Sequence, residues 1–249
     1  MEYKIAIDAD SLLYKSCYRN QLRSTKDRGY TDEEIEASFD LEKAYFEMCG
    51  EIAKVRSKVF DGLHVYARGD SVSVKAILSP KVSFRNEMYP EYKANRKDAS
   101  VVGIGKLKFA LLARIPDMVY QFPDVEADDV VNWLARTKGY LVAAIDKDVI
   151  NANPTYCYNY NKMVWIPPLP NFKIEEWYLT QALMGDATDN IKGAQGVGEK
   201  TAAKIVAGLE YKNFEGIVEY FEDEYDALMN YRLVRMDQFN GERIELWDG

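Results

Sequence analysis

The run Tyr140-Leu-Val-Ala-Ala-Ile-Asp146 limits the fold more than any other stretch, because six apolar residues in a row end in an acid. A strand that is apolar on both faces must be covered on both sides, which is the condition of a central strand in a parallel sheet. Tyr3 to Asp8, Leu63 to Ala67 and Met118 to Phe122 read as further strands. Helical stretches separate them. One covers Ser11 to Tyr18. Another opens at Thr31, whose spacing to Glu34 has the form of a capping box, and runs to about Val59. Leu107 to Ile115 and Glu126 to Thr137 follow, the latter with Val130, Val131 and Leu134 on one face. Beyond Asp146, Thr155 to Trp165 suits a hairpin, and Ile174–Leu183, Lys200–Gly208 and Phe214–Met229 suit helices. Alternating strands and helices predict an α/β fold with a mainly parallel central sheet flanked by helices.

Ligands of such sheets bind beyond the carboxyl ends of the strands. Acids recur there. Asp8 ends the first strand and Asp70 follows the second. Glu126, Asp128 and Asp129 follow the third, and Asp146 and Asp148 the fourth. Asp186 and Asp189 can join them from the loop GDATDN. Any one of these could be a helix cap or a solvated group. Recurrence after four successive strands is not something capping requires. So many carboxylates in one place must either hold protons or be neutralised by cations. The chain has one histidine, His64, set in an apolar strand, and three scattered cysteines. Carboxylate donors alone favour a hard ion, Mg²⁺ or Mn²⁺, over zinc. A Ser-His-Asp or Cys-His nucleophile would need His64. Hydrolysis assisted by two metals about 4 Å apart needs no protein nucleophile.

The loop continues as GAQGVGEKT. It is not a P-loop, because Glu199 separates Gly198 from Lys200 and no strand leads into it. It reads as a glycine turn between helices. Gly196, Val197 and Gly198 would offer backbone N–H groups to a phosphate at the start of the helix carrying Lys200 and Thr201. A plain helix–helix turn is the alternative. Upstream, residues 81 to 114 hold eight basic and three acidic side chains, a local charge of +5 in a chain whose total is −8. Within it, MYPEYKANRK interleaves Tyr89 and Tyr92 with Lys93, Arg96 and Lys97. Aromatics stack on bases while cations hold phosphates, although an ordinary solvated basic loop has the same composition. No run approaches the length of a membrane span, the start has no basic region followed by a long apolar stretch, and the cysteines form no framework. The expectation is a cytoplasmic protein with reduced thiols.

Taken in order, Asp8, Asp70, Tyr-Lys-Ala-Asn-Arg at 92–96, Glu-Ala-Asp-Asp at 126–129, Asp-Lys-Asp at 146–148, Gly-Asp-x-x-Asp-Asn-Ile-x-Gly at 185–193 and Gly-Val-Gly-Glu-Lys-Thr-Ala at 196–202 resemble the 5′ nucleases. These are the flap endonucleases, phage 5′–3′ exonucleases and the 5′-nuclease domain of bacterial DNA polymerase I. The compact length is most like a phage member. The resemblance implies a Mg²⁺-dependent nuclease, Mn²⁺ substituting, that uses two or more ions on DNA with 5′ ends, flaps or nicks, as a monomer. Asp8, Asp70, Glu126 and Asp128 would hold the first ion. Asp146, Asp148 and Asp186 would hold the second, with Asp128 bridging. Asp129 and Asp189 would lie in the outer shell or bind a further ion. Lys93 and Arg96 would contact the scissile phosphate, with Lys97 nearby on the DNA and Tyr92 stacked on the terminal base. Residues 1–185 would form the nuclease core, including a shortened arch at 81–114. Residues 186–249 would form a helix-turn-helix subdomain gripping duplex DNA, where relatives often hold K⁺. Asp10 stands where many relatives carry a small residue. A DNA-binding protein without hydrolysis and a PIN-like ribonuclease are the competing functions; the helix-turn-helix element speaks against the second.

Overall fold

The computed structural model describes residues 2–23, 29–62, 71–96 and 101–248. The elements in chain order are β1 (Glu2–Asp8), α1 (Asp10–Arg19), α2 (Asp32–Ser38), α3 (Leu41–Gly62), β2 (Ser71–Ile77), α4 (Phe84–Met88), α5 (Ile104–Arg114), β3 (Val119–Tyr120), α6 (Ala127–Lys138), β4 (Leu141–Ala143), α7 (Lys147–Asn151), β5 (Cys157–Asn159), β6 (Val164–Ile166), α8 (Asn171–Met184), β7 (Gly185–Asp186), β8 (Ile191–Lys192), α9 (Glu199–Gly208), α10 (Glu215–Val218) and α11 (Glu224–Val234).

Among the described residues, six strands form one sheet in the order β3-β2-β1-β4-β5-β6. Every pairing is parallel except the β5–β6 hairpin. The pleat of β1 sends Ile5 and Ile7 into a core shared with Leu12, Met48, Ile52, Leu107 and Leu111 of α1, α3 and α5. It sends Ala6 the other way, into a core with Val130, Leu134, Leu179 and Leu183 of α6 and α8. Both faces of β1 are therefore covered, as its apolar run requires.

The structure departs from the sequence expectations at several joints. Thr31 and Glu34 do form the reciprocal capping box. Their helix stops at Ser38, however, and Asp40 restarts the chain as α3 by accepting from the N–H of Lys43 at 3.0 Å. Between the two, the Phe39 ring packs against Gly103, whose φ of +77° needs glycine and whose Cβ position the ring occupies. The expected helix 214–229 is likewise two, because Asp223 caps α11 through the Asp226 N–H at 2.8 Å. The described strand that pairs with β1 runs from Ser71 to Ile77. Leu63–Ala67, His64 and Asp70 lie outside the described residues, as does Lys97. No helix among the described residues is long and apolar enough to cross a membrane.

Candidate active site

β1 aligns Asp8 with Ile77, so the carboxyl ends of β1 and β2 lie side by side. Past Ile77 the chain reaches Ser79, which is no acid. The carboxylate beside it comes from β1's own exit, since Asp10 accepts the Ser79 N–H at 3.1 and 3.3 Å. The Ser79 hydroxyl in turn accepts the Ala127 N–H at 2.9 Å and so caps α6. Asp10 thus supplies the acid at the end of the second strand.

Asp8 is buried, and its field couples to those of Asp10 and Asp146. Burial first, then these neighbours, push its pKa to about 8. Burial and the charges of Asp8, Asp146 and Glu126 likewise raise Asp128. Burial and Asp146 push Asp148 to about 6. Asp8, Asp128 and Asp148 come from the end of β1 and the first turns of α6 and α7, and the charge of Asp146, which follows β4, acts on all three. Asp146 also caps α7, accepting the Asp148 N–H at 2.7 Å, so capping and charge clustering coexist there.

Other acids already have cations. Glu126 accepts from Lys93 Nζ at 2.5 Å and from Arg85 Nη1 at 3.3 Å. Burial would raise it, but the charges of Arg85 and Lys93 prevail and hold it below the usual range. Asp189 accepts from Arg96. Asp186 accepts from the Thr188 N–H at 2.7 Å and Lys147 Nζ at 3.3 Å, which outweigh burial and hold its pKa low. Asp129 differs from its neighbour Asp128. It is fully buried, and both its oxygens are taken by Arg85, at 2.6 and 2.9 Å. In this arrangement Asp129 is the counter-ion of Arg85, which takes both of its oxygens.

Tyr92 also departs from expectation. It is 4% exposed, packed with Ile191, Met229 and Leu233. Its hydroxyl donates to Glu126 at 2.9 Å. A ring so enclosed cannot stack on a base. The turn it belongs to is joined to the GDATDN loop. Lys93, with φ +58°, donates its N–H to the Asp189 carbonyl at 2.9 Å. Asn95 reaches the Ala187 carbonyl at 2.7 Å, and Asn190 reaches the Glu91 carbonyl at 2.8 Å. Two motifs about a hundred residues apart are one unit, with Lys93 and Arg96 fixed beside the acids.

Sequence reasoning missed two residues. Arg85 looked like one more surface cation of the basic segment, yet it is buried and bonded to Asp129, Glu126 and the carbonyls of Leu233 and Arg235. Gln181, buried on α8, donates Nε2 to Asp148 at 2.6 Å, while its buried Oε1 has no hydrogen-bond partner among the described residues. Gln181 lines a cavity of about 40 Å³ with Asp128, Asp148 and Asp186. An acceptor without a donor, among carboxylates lining one small cavity, is a donor set that fits a hard cation. No three such side chains among the described residues close round a single ion as they stand.

Further along, Gly185 (φ +69°) packs so closely on Ile191 and Gly193 that a side chain would strike backbone. The turn 194–198 is mostly exposed. Gly196 has φ +75°, and Gly198 caps α9 with no side-chain hydrogen bond. Open space surrounds both glycines.

The fold and these residues define a class: a parallel α/β sheet with carboxylates at its carboxyl edge and cations poised over them. The comparisons narrow it. No family model matches the chain. It is 28% identical over 229 residues to a 5′–3′ exonuclease of Buchnera aphidicola, covering 79% of each chain. It is 30% identical over 174 residues to DNA polymerase I of Streptococcus pneumoniae, covering 62% of this chain but only 19% of the polymerase. Among solved structures, a bacteriophage T5 protein co-crystallised with metal ions superposes over 95% of this chain and 90% of its own, with a TM-score of 0.63 at 20% identity. The T5 flap endonuclease in a pseudo-enzyme–product complex with DNA and metal ions gives 0.59 at 17%, with the same coverage. The fold is that of the 5′ nucleases, and the chain is a sequence relative of their 5′–3′ exonucleases and of polymerase I.

Proposed function

We propose that the protein is a structure-specific 5′ nuclease, a 5′–3′ exonuclease or flap endonuclease that hydrolyses DNA phosphodiesters with two Mg²⁺ ions, Mn²⁺ substituting. The observation that carries this is the acid group at the carboxyl edge of the sheet, where the charge of Asp146 reaches Asp8, Asp128 and Asp148 and that of Lys93 reaches Asp8 and Asp128. Asp8, Asp10, Glu126 and Asp128 would hold one ion, and Asp146, Asp148 and Asp186 the other, with the Gln181 carbonyl facing them. Bound there, divalent ions activate water and stabilise the leaving oxygen of a phosphodiester. Lys93 and Arg96 hold carboxylates in the free protein and would exchange them for oxygens of the phosphate being cut, offsetting its charge. The turn Gly196–Gly198 and the start of α9, with Lys200 and Thr201, would grip the duplex backbone, with a K⁺ ion bound by turn carbonyls. Residues 1–185 would then cut and 186–249 would hold. Product mapping on end-labelled flap, nicked and blunt substrates tests this. Mg²⁺-dependent cuts near 5′ ends are expected. Tight binding without cleavage would favour a non-catalytic DNA-binding protein, and cleavage confined to RNA a ribonuclease.

The acids also predict a pH dependence. A carboxyl whose pKa is higher in the folded than the unfolded state binds its proton more tightly when folded. Its stabilisation is full at low pH and is lost as pH rises from the unfolded value of about 4 through the folded one. For Asp8 and Asp148 the folded values are about 8 and about 6. Glu126 and Asp186, held low, stay ionised throughout that window. In EDTA the melting temperature should therefore fall between pH 5 and pH 8, and Mg²⁺ or Mn²⁺ should flatten the fall by binding the ionised form. A flat or rising profile in EDTA would show that burial and neighbouring charge do not raise these carboxyls above their unfolded values.

A further inference from the structure

A second cavity, about 590 Å³, opens on the other side of Lys93 and Arg96, between the turn 90–96, α1 and the start of α5. That is the size of a small-molecule site rather than of a gap between side chains. Four cations line it: Lys81, Lys93, Arg96 and Lys108. Lys93 and Arg96 are committed to Glu126 and Asp189. Lys81 and Lys108 are not. No carboxylate among the described residues lies within ion-pair distance of either. Lys108 is half-buried on α5; its ammonium donates to the Ser79 carbonyl, a neutral acceptor, and the acid whose charge reaches it is Asp10, outside ion-pair distance. Ile104, one turn earlier on the same helix face, also lines the cavity. Helix α5 begins there with no acid in its first turn and no side-chain cap, so its positive end adds to the field. Asp10 and Glu126 are the acids that line it, Glu126 already paired with Lys93.

Two lysines with spare charge, in a pocket that adjoins the proposed cutting site, suit a ligand more anionic than a backbone phosphodiester. A terminal phosphomonoester fits, with a charge near −2 and three free oxygens at neutral pH. We propose that Lys81 and Lys108 form a receptor for the 5′-terminal phosphate of the strand being cut, so that the protein discriminates 5′-phosphorylated from 5′-hydroxyl ends. The inference rests on the 5′-nuclease reading for which end of the strand enters. The pocket has room for the terminal nucleotide, and it is continuous with the acid group through Asp10 and Glu126, which line it together with Lys93 and Arg96.

The test uses two blunt duplexes that differ only in carrying a 5′-phosphate or a 5′-hydroxyl. Binding is followed by fluorescence anisotropy in EDTA and cleavage by single-turnover assays with Mg²⁺. Wild type should bind the phosphorylated duplex about tenfold more tightly, the size expected for charge-assisted hydrogen bonds to one dianion. The Lys81→Met, Lys108→Met double variant should bring the ratio to about one, and Lys108→Arg should preserve most of it. Equal binding of both duplexes by wild type would overturn the proposal. So would a double variant that weakens both equally, since the lysines would then be holding internal phosphodiesters. If neither duplex is cut, the nuclease reading fails, while the binding ratio still decides the receptor.

Discussion

Replacing Asp146 and Asp148 together with asparagine is expected to lower Mg²⁺-dependent cleavage by on the order of 10³-fold or more, because the stabilisation that divalent ions give a reacting phosphodiester is several kcal/mol. Binding of a flap substrate in EDTA should hold or tighten, since two negative charges near the phosphates are gone. The substitutions are chosen to leave the local fold alone. Asparagine caps a helix as well as aspartate does, so α7 keeps its start at residue 146. An amide oxygen at 148 can still accept from Gln181 Nε2, the bond now made at 2.6 Å. What disappears is charge, which ion binding requires. A Mn²⁺ titration followed by calorimetry gives the second readout, with the double variant losing one class of site. Cleavage equal to wild type would sink the assignment of these acids to an ion. Lost cleavage with unchanged Mn²⁺ binding would move the ion elsewhere along the acid edge.

How much of this was legible in the chain differs from residue to residue. That the sheet is mainly parallel and flanked by helices followed from apolar runs such as Tyr140–Ile145, because burial on both faces leaves a plain signature. Strand β2 did not follow. It alternates Ser73 and Lys75 with valine and alanine and looks too polar for an interior strand. The Lys75 stem lies on the sheet with its ammonium 4.3 Å from the centre of the Tyr120 ring, which lets a charged residue occupy a covered strand. With that strand at Ser71–Ile77, the acid beside its carboxyl end is Asp10, bonded to the Ser79 N–H. The acids after β1 and β4 were readable, since position at a strand end is local. The fates of Asp128 and Asp129 were not. They are neighbours on α6, and only the partner across the fold, Arg85, decides that one faces the acid edge and the other the interior. Tyr92 failed for the same reason. Its enclosing residues, Ile191, Met229 and Leu233, lie about a hundred or more positions away, and aromatic–basic interleaving says nothing about them.

Arg85 is where the largest loss of stability is expected. Its guanidinium is 3% exposed and makes two bonds to Asp129, one to Glu126 and one each to the carbonyls of Leu233 and Arg235. It thereby joins α4, the first turn of α6 and the end of α11, elements from three distant parts of the chain. Arg85→Met keeps most of the apolar stem but leaves Asp129 buried without a partner and two carbonyls without donors. Breaking a buried pair in this way costs about 3–5 kcal/mol. In a domain of this size that corresponds to a fall in melting temperature of roughly 10 °C. Adding Asp129→Asn should recover part of the loss, because it removes the stranded charge. The single variant Asp129→Asn separates a structural Asp129 from a metal-binding one. If Asp129 is the counter-ion of Arg85, Asp129→Asn alone lowers the melting temperature and leaves the number of Mn²⁺ sites unchanged. If it holds an ion, a site disappears while stability in EDTA holds or rises, since a buried negative charge is gone. An Arg85→Met protein as stable as wild type would show that the latch between α4, α6 and α11 is held by packing alone.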